Sequence, residues 1–313
     1  MIPELPDEIR AVFDFEPHWA RIGDYQLHYV DEGPPSREAI VLPHGNPTWS
    51  FLYRDIIPPL VDAGYRVIAP DHLGSGRSDH AGSAAEYAID LHAARFGALL
   101  DQAGVDRAVF FLQDWGGPIS LGACLSRPDL MAGMVLGNTF WGEASQFHQG
   151  LFPWRAMQGP IAGPLLFGRT SAFIEGCIRH AMPPTAHSGP VRDAYLLPWR
   201  STPGAGATLP WPRAISSGPG HPTQALADAL ADLLRTLDVP TRFVWGAVDA
   251  VFPWEEQGVA LQALLPNGDS HDPVIVEGAG HFIQEWAPTE CASALLAVAA
   301  TAFGRDTDPG DQP

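Results

Sequence analysis

Two spacings of apolar residues alternate along the chain. Short apolar runs that end at Gly, Pro, Asn or Asp indicate β-strands, whereas apolar residues three and four positions apart indicate amphipathic helices. The short runs predict strands at 25–30, 40–43, 65–69, 108–112, 134–136, 242–245 and 274–276. The helical spacing predicts helices at 88–103, 225–237 and 282–300.

The order of these elements predicts the architecture. Strands that alternate with helices imply a mainly parallel sheet with helices on both faces. The pattern breaks over 140–222, where Pro, Gly and Trp are frequent, and then returns. We therefore predict an α/β core formed by 1–139 and 223–303, with 140–222 inserted as a lid after the sixth strand. The polar tail, 304–313, is predicted to be disordered.

Composition excludes several classes of protein. A chain of 313 residues, 46% of them hydrophobic, is long enough to bury a large core. The net charge of -18 argues against binding to nucleic acid or to an anionic membrane surface. The three cysteines lie far apart and lack the spacing of a metal site or a disulfide framework. Because no apolar signal segment or membrane-spanning run is present, we predict a soluble cytoplasmic protein.

The segment from Gln113 to Gly117 carries the most specific chemistry. The apolar run 108–112 leads into it, two glycines close it, and a helical pattern follows. A strand, a sharp turn and a helix in that order form a nucleophile elbow, which exposes its central side chain at the top of a sheet. That side chain is Asp114, a carboxylate that is anionic at neutral pH and needs no base to activate it. The alternative reading is an Asp that caps the following helix.

Four strand ends carry polar residues that could act together. These ends are 44–49, 114–115, 246–249 and 278–282. Ligands of open α/β sheets bind at the carboxyl ends of the strands, so we expect these segments to meet. Nucleophile, acid and histidine in that chain order are typical of α/β-hydrolases. The sequence therefore predicts a triad of Asp114, Asp249 and His281.

Five segments carry a resemblance that extends from about Tyr25 to Ala300. They are HGNPTW at 44–49, DHLGSGRSD at 71–79, QDWGG at 113–117, WGAVD at 245–249 and GAGHFIQEW at 278–286. Together they resemble the haloalkane dehalogenases of the α/β-hydrolase superfamily. The resemblance implies a mainly parallel eight-stranded sheet flanked by helices, with a helical lid inserted after strand 6. HGNP together with QDWGG is specific, whereas either motif alone is shared with epoxide hydrolases.

The chemistry expected of these residues is displacement followed by hydrolysis. Asp114 attacks carbon, and His281 then activates the water that cleaves the resulting ester. A leaving halide needs donors without a full charge, such as the indole of Trp115 and the side-chain amide of Asn46. The resemblance implies that Asn46 and Trp115 form this halide pair and that their backbone N–H groups bind the oxyanion. It implies no metal and no organic cofactor.

The resemblance leaves two places for the acid that supports the histidine. In one branch of the family the acid follows the sixth strand, where this chain has Asn138. Asn cannot carry the charge that stabilises an imidazolium, and Glu143 is five residues further on. Asp249 follows the seventh strand in the matching place, so we predict Asp249, with Glu143 as the alternative. This combination resembles the third subfamily of haloalkane dehalogenases.

Other functions remain as alternatives at this point. An epoxide hydrolase normally donates a proton from a pair of lid tyrosines, and only Tyr195 lies in the predicted lid. A haloacid dehalogenase should carry Arg beside the nucleophile, where this chain has Trp115. A non-catalytic binding protein usually loses a triad residue, and all three are present. The expected partners are a small neutral halogenated substrate, halide and water, without nucleic acid or membrane, and a homo-oligomer is left open.

Two further groups of residues have a structural interpretation. Asp71-His72 is interpreted as part of a loop rather than as catalytic. The aromatic residues of the predicted lid are interpreted as packing, with a few expected to line a substrate pocket because such pockets are mostly apolar. These aromatic residues are Trp141, Phe147, Phe152, Trp154, Phe167 and Phe173.

Overall fold

The centre of the molecule is an eight-stranded sheet in the order β1-β2-β4-β3-β5-β6-β7-β8. The computed structural model describes residues 4–143, 156–157, 159–166, 171–200, 207–266, 268 and 272–305. β2 pairs antiparallel with β1 and β4, and the remaining neighbours pair parallel. The strands are β1 Pro17–Ile22, β2 Tyr25–Glu32, β3 Glu38–Val41, β4 Val67–Pro70, β5 Arg107–Asp114, β6 Met131–Thr139, β7 Thr241–Gly246 and β8 Val274–Val276.

Helices flank the sheet and form the described parts of the segment between β6 and β7. They are α1 Asp7–Arg10, α2 Ile57–Asp62, α3 Ile89–Gln102, α4 Gly116–Cys124, α5 Ala162–Leu166, α6 Ala172–Ala181, α7 Gly189–Leu196, α8 Pro210–Arg213, α9 Gln224–Thr236, α10 Val259–Leu264, α11 Ile283–Trp286 and α12 Pro288–Ala302. The predicted fold, a mainly parallel sheet of eight strands flanked by helices, is confirmed. None of the helices within the described ranges is long and apolar enough to cross a membrane.

The core lies around the central strands β5 and β6. All nine residues of β6 are buried, and in β5 only the first residue is exposed. α4 packs against β5, and α12 packs against β5, β6 and β7. Strands covered on both faces read as continuous apolar runs, which is why the sequence predicts β5 clearly.

Two differences from the predicted elements have a clear physical cause. The alternation pattern missed β1, because this edge strand buries only Ala20 among its six residues and therefore lacks a strong apolar signal. The predicted helix 282–300 is two helices, α11 and α12, separated at Ala287. Ala287 has φ -143°, because the ring of Pro288 disfavours helical backbone in the residue before it.

Core side chains hold the helices that follow β6. Trp286 donates its indole N–H to the carbonyl of Ala181 at the end of α6, over 3.1 Å. Trp49 donates to the carbonyl of Ala194 in α7, over 3.0 Å. These bonds join α6 to α11, and α7 to the loop that follows β3. The predictions for 306–313, Phe147, Phe152, Trp154 and Phe167 lie outside the described residues.

Candidate active site

Asp114 stands at the turn between β5 and α4. Its φ of +46° lies in the left-handed region, which is uncommon for a residue other than glycine. A side chain on Gly116 would lie 2.3 Å from the carbonyl oxygen of Pro43, and one on Gly117 would lie 2.2 Å from Oγ1 of Thr139. Both glycines are therefore needed for the close approach of α4. The N-cap of α4 is Trp115 without a side-chain cap, so Asp114 does not serve as a helix cap.

The two carboxylate oxygens of Asp114 have different neighbours. Oδ1 accepts a hydrogen bond from the backbone N–H of Asn46 over 2.6 Å. Oδ2 lies 3.6 Å from Nε2 of His281. Gly45 allows the first contact, because a side chain there would lie 2.2 Å from Oδ1. One oxygen is therefore held by a backbone donor, and the other faces an imidazole.

Asp249 lies on the other side of His281. Nδ1 of His281 is 3.1 Å from Oδ2 of Asp249, which also accepts a hydrogen bond from Nδ2 of Asn138 over 2.7 Å. The second oxygen of Asp249 accepts from the backbone N–H of Val251 over 2.7 Å. Both His281 and Asp249 are buried. The structure thus brings together the three residues that the strand ends predicted.

Charge rather than burial sets the protonation of His281. Burial by itself lowers the pKa of this imidazole, but the carboxylates of Asp249 and Asp114 outweigh it and raise the pKa to about 10. Burial likewise opposes the ionised form of Asp249, and the charge and hydrogen bond of His281 together with Asn138 lower the pKa of that carboxyl. With both carboxylates ionised, His281 is an imidazolium at neutral pH.

Asn46 and Trp115 both line the space in front of Asp114. The indole of Trp115 is almost fully buried, packed edge-on against Phe140 and Trp211 at ring distances of 4.8 and 5.9 Å. Within the described ranges, its N–H has no bonded acceptor. The Asn46 side chain donates one of its two N–H groups to the carbonyl of Thr208, over 3.2 Å. The structure thus leaves one donor of each side chain for an anion in the cavity.

The cavity has a volume of about 440 Å³ and a mostly apolar wall. Asp114 and His281 lie at its polar end, whereas Asp249 lies behind His281. Helix α6 supplies Phe173 and Cys177 to the wall. Burial, followed by the charge of Asp114, raises the pKa of the Cys177 thiol to about 12, so this side chain is neutral. The cavity suits a small apolar molecule with its reactive atom at Asp114.

The alternative residues lie elsewhere. The hydroxyl of Tyr195 donates to Glu285, which also forms an ion pair with Arg54. Among the described residues that line the cavity none is a tyrosine, so none of them supplies the phenolic acid of an epoxide hydrolase. The carboxylate of Glu143 accepts from the side chain of Gln224 over 3.4 Å rather than meeting His281.

Gln113 is a neighbour of the triad to which the sequence analysis gave no role. Its side-chain Nε2 lies 3.3 Å from Nε2 of His281 and 3.4 Å from the carbonyl of His281. Its place in QDWGG, directly before Asp114, was the available signal.

The described residues contain no group of three side chains arranged to hold a metal ion.

Comparisons with known proteins agree with this geometry. Residues 38–169 match the family model of the alpha/beta hydrolase fold. The chain is 37% identical to haloalkane dehalogenase 2 of Mycobacterium tuberculosis (strain H37Rv) in an alignment of 294 residues that covers 91% of this chain and 95% of that protein. It is 30% identical to the cis-3-alkyl-4-alkyloxetan-2-one decarboxylase of Shewanella oneidensis, over 90% of this chain and 87% of that one.

A solved structure confirms the fold. The haloalkane dehalogenase DbeA-M1 loop variant from Bradyrhizobium elkanii superposes with a TM-score of 0.82 at 22% identity, over 93% of this chain and 99% of that one. The fold and site first define an α/β-hydrolase. The sequence identity over nearly the whole chain then places the protein in the haloalkane dehalogenase family.

Proposed function

We propose that this protein cleaves the carbon–halogen bond of small neutral haloalkanes through an ester on Asp114 and releases an alcohol and a halide. Its family membership makes it a haloalkane dehalogenase, a hydrolase that acts on carbon–halide bonds. One observation carries the mechanism. The carboxylate of Asp114 lies at the polar end of an apolar cavity, with Oδ1 on the N–H of Asn46 and Oδ2 facing His281.

In the first step Oδ2 of Asp114 attacks the carbon that carries the halogen. The new carbon–oxygen bond forms as the carbon–halogen bond breaks, and the halide takes the bonding electron pair. The free N–H groups of Trp115 and Asn46 then bind the halide in a cavity where water does not compete. Neither donor carries a full charge, so the halide can leave again.

Alkylation prepares His281 for the second step. The ester on Asp114 is neutral, which removes one of the two charges that raise the pKa of His281. The imidazolium therefore loses its proton to solvent more readily than in the free enzyme. The charge of Asp249 remains and keeps Nδ1 of the neutral ring protonated, so Nε2 is the basic nitrogen.

In the second step neutral His281 removes a proton from a water molecule, and the resulting hydroxide attacks Cγ of Asp114. The oxyanion forms on Oδ1, where the backbone N–H of Asn46 already lies, and the residue after the nucleophile, Trp115, supplies a second backbone donor. Collapse breaks the ester bond, the alcohol leaves with a proton, and Asp114 is again a carboxylate beside an imidazolium. The cycle consumes one water and releases one proton.

Residues 140–222 act as the lid of this site. The support comes from α6, which contributes Phe173 and Cys177 to the cavity wall, and from the bonds that Trp49 and Trp286 make to the lid carbonyls. An apolar wall, with Trp115 beside the nucleophile, favours a neutral substrate over a haloacid. A volume of about 440 Å³ suits a short chain.

Bromide release from 1-bromobutane and 1,2-dibromoethane tests the proposal. Wild-type protein should release bromide, and Asp114→Ala should abolish the release. Asp129→Asn, which changes an exposed acid before β6, is the matched control and should behave as wild type. A cis-3,4-dialkyl oxetan-2-one and styrene oxide should be assayed in parallel. Consumption of either compound without bromide release from the bromoalkanes would overturn the proposal.

A further inference from the structure

The peptide between Gly45 and Asn46 is held on both sides. Its N–H, on Asn46, donates to Oδ1 of Asp114 over 2.6 Å. Its carbonyl, on Gly45, is contacted by three donors: Nδ1 of His44 at 2.8 Å, the N–H of Thr48 at 3.0 Å and Oγ1 of Thr48 at 3.1 Å. The N–H that binds Asp114 therefore belongs to a peptide whose carbonyl oxygen is itself held by hydrogen-bond donors.

A second histidine fixes the tautomer of His44. Nε2 of His44 accepts a hydrogen bond from the backbone N–H of His72 over 3.0 Å, so this nitrogen carries no hydrogen. The hydrogen of the neutral ring is then on Nδ1, which points at the carbonyl of Gly45. Nε2 of His72 in turn donates a hydrogen bond to the backbone carbonyl of His44 over 3.1 Å. Two hydrogen bonds thus hold the two residues in a fixed relative orientation.

The surroundings of His44 exclude a direct part in the chemistry. The residue is fully buried, and its ring does not line the cavity. Burial lowers the pKa of His44, outweighing the opposing charges of Asp71 and Asp114, so the imidazole stays neutral. A neutral ring with one bound acceptor and one bound donor is suited to orientation rather than to proton transfer.

We propose that His44 is a positioning residue for ester hydrolysis, which His72 holds in the Nδ1–H tautomer so that it orients and polarises the peptide whose N–H binds the oxyanion on Asp114. Hydrogen bonds in a chain strengthen one another in a low-dielectric interior, so a donor on the carbonyl of Gly45 makes the N–H of Asn46 a better donor. The inference rests on the proposed function and concerns the same site.

The two chemical steps should depend differently on this peptide. In alkylation the N–H of Asn46 contacts an oxygen of Asp114 whose charge decreases as the ester forms. In hydrolysis a full negative charge develops on that oxygen. Removing an oxyanion donor typically costs about 10²–10³ in rate, and here the donor stays but loses its support, so we expect hydrolysis to slow about 10-fold with little change in alkylation.

Two substitutions of His44 separate its two hydrogen bonds. In His44→Asn the amide nitrogen occupies the place of Nδ1, so the donor to Gly45 is kept and the acceptor for His72 is lost. In His44→Gln the amide reaches the place of Nε2, so the acceptor is kept and the donor is lost. His92→Gln is the matched control, because this buried histidine of α3 packs against Trp211 at a ring distance of 4.5 Å and makes no hydrogen bond to the peptide.

Rapid-mixing single turnovers with 1,2-dibromoethane should measure alkylation and hydrolysis separately. We expect His44→Gln to accumulate the alkyl-enzyme and His44→Asn to hydrolyse it at close to the wild-type rate, with His92→Gln also like wild type. Thr48→Val removes another donor to Gly45 and should shift the ratio of the two steps in the same direction by a smaller factor. It remains informative if the His44 variants do not fold.

Three results would overturn the inference. They are equal loss of both steps in His44→Gln, better hydrolysis by His44→Gln than by His44→Asn, and an unchanged ratio in Thr48→Val when the His44 variants do not fold. A failure of the proposed function is distinguishable, because the wild-type enzyme would then release no bromide. If the wild-type enzyme releases bromide normally and the variants do not show the expected ratios of hydrolysis to alkylation, only the role proposed for His44 is wrong.

Discussion

Asn138 donates its side-chain N–H to the Asp249 oxygen that also faces Nδ1 of His281, at 2.7 Å from that oxygen. The side-chain oxygen Oδ1 of Asn138 accepts a hydrogen bond from the backbone N–H of Gly246 over 3.0 Å, which fixes the orientation of the amide. Asn138 has φ +50°, a conformation that Asn tolerates better than most residues. The amide at the end of β6 therefore supports the carboxylate at the end of β7.

This relationship predicts which acid serves the histidine. Asp249→Asn should slow ester hydrolysis much more than alkylation, because the imidazolium that Asp249 stabilises forms in the hydrolysis step. The loss of the orienting acid costs about 10⁴-fold in a serine triad, and we expect the same direction here. Single-turnover kinetics with 1,2-dibromoethane measure both steps. Glu143→Gln is the control, and a stall in that variant together with normal hydrolysis in Asp249→Asn would assign the acid to Glu143.

The halide site predicts saturable quenching of indole fluorescence by bromide in the resting enzyme. Losing one hydrogen bond to a charged group costs about 1.5–3 kcal/mol, so Trp115→Phe and Asn46→Ala should each weaken bromide binding and slow dehalogenation. Trp19→Phe, on the edge strand β1, should retain the wild-type dissociation constant. Near wild-type turnover in both Trp115→Phe and Asn46→Ala would exclude the assigned donors.

The wall formed by α6 predicts a change in chain-length preference. Cys177→Trp should fill part of the cavity and lower kcat/KM for 1-bromohexane more than for bromoethane. The loss of a few methylene-sized volumes from an apolar pocket changes specificity by roughly 10-fold or more. Cys177→Ser keeps the size and should keep the wild-type ratio of the two substrates. An unchanged ratio in Cys177→Trp would place the substrate away from α6.

The charged triad predicts a pH-dependent part of the folding stability. The pKa of His281 is raised from 6.5 to about 10 in the folded protein, so its contribution is fully present below pH 6.5 and is lost as the pH rises to 10. Urea unfolding at pH 6.5, 8 and 9.5 should therefore show the stability advantage of wild type over His281→Phe decreasing with pH. A constant or increasing difference would mean that the imidazole is neutral in the free enzyme.

The site was more predictable than the hydrogen bonds that support it. β5 is covered on both faces, and its continuous apolar run followed by two glycines indicated the elbow at Asp114. Asp249 and His281 were predicted because each follows a strand whose carboxyl end reaches the same edge of the sheet and because the family resemblance offers an acid after the seventh strand. The bonds from His44 to Gly45 and from Asn138 to Asp249 depend on which loops meet in space, and local sequence patterns do not carry that information.

Some predictions stay predictions. They are the lid boundaries at 140 and 222 and the cytoplasmic location. The edge strand β1 shows a different limit. Two of its six residues are exposed and only one is buried, so the apolar alternation that identifies a strand is weak there.

Covalent trapping tests the central claim most directly. His281→Phe keeps Asp114 as the nucleophile and removes the base, so alkylation should proceed and hydrolysis should stop. After incubation with 1,2-dibromoethane, intact mass spectrometry should show one stable bromoethyl adduct, and digestion should place it on the peptide that contains Asp114. An adduct on another residue, or no adduct while wild-type enzyme releases bromide, would contradict the ester mechanism.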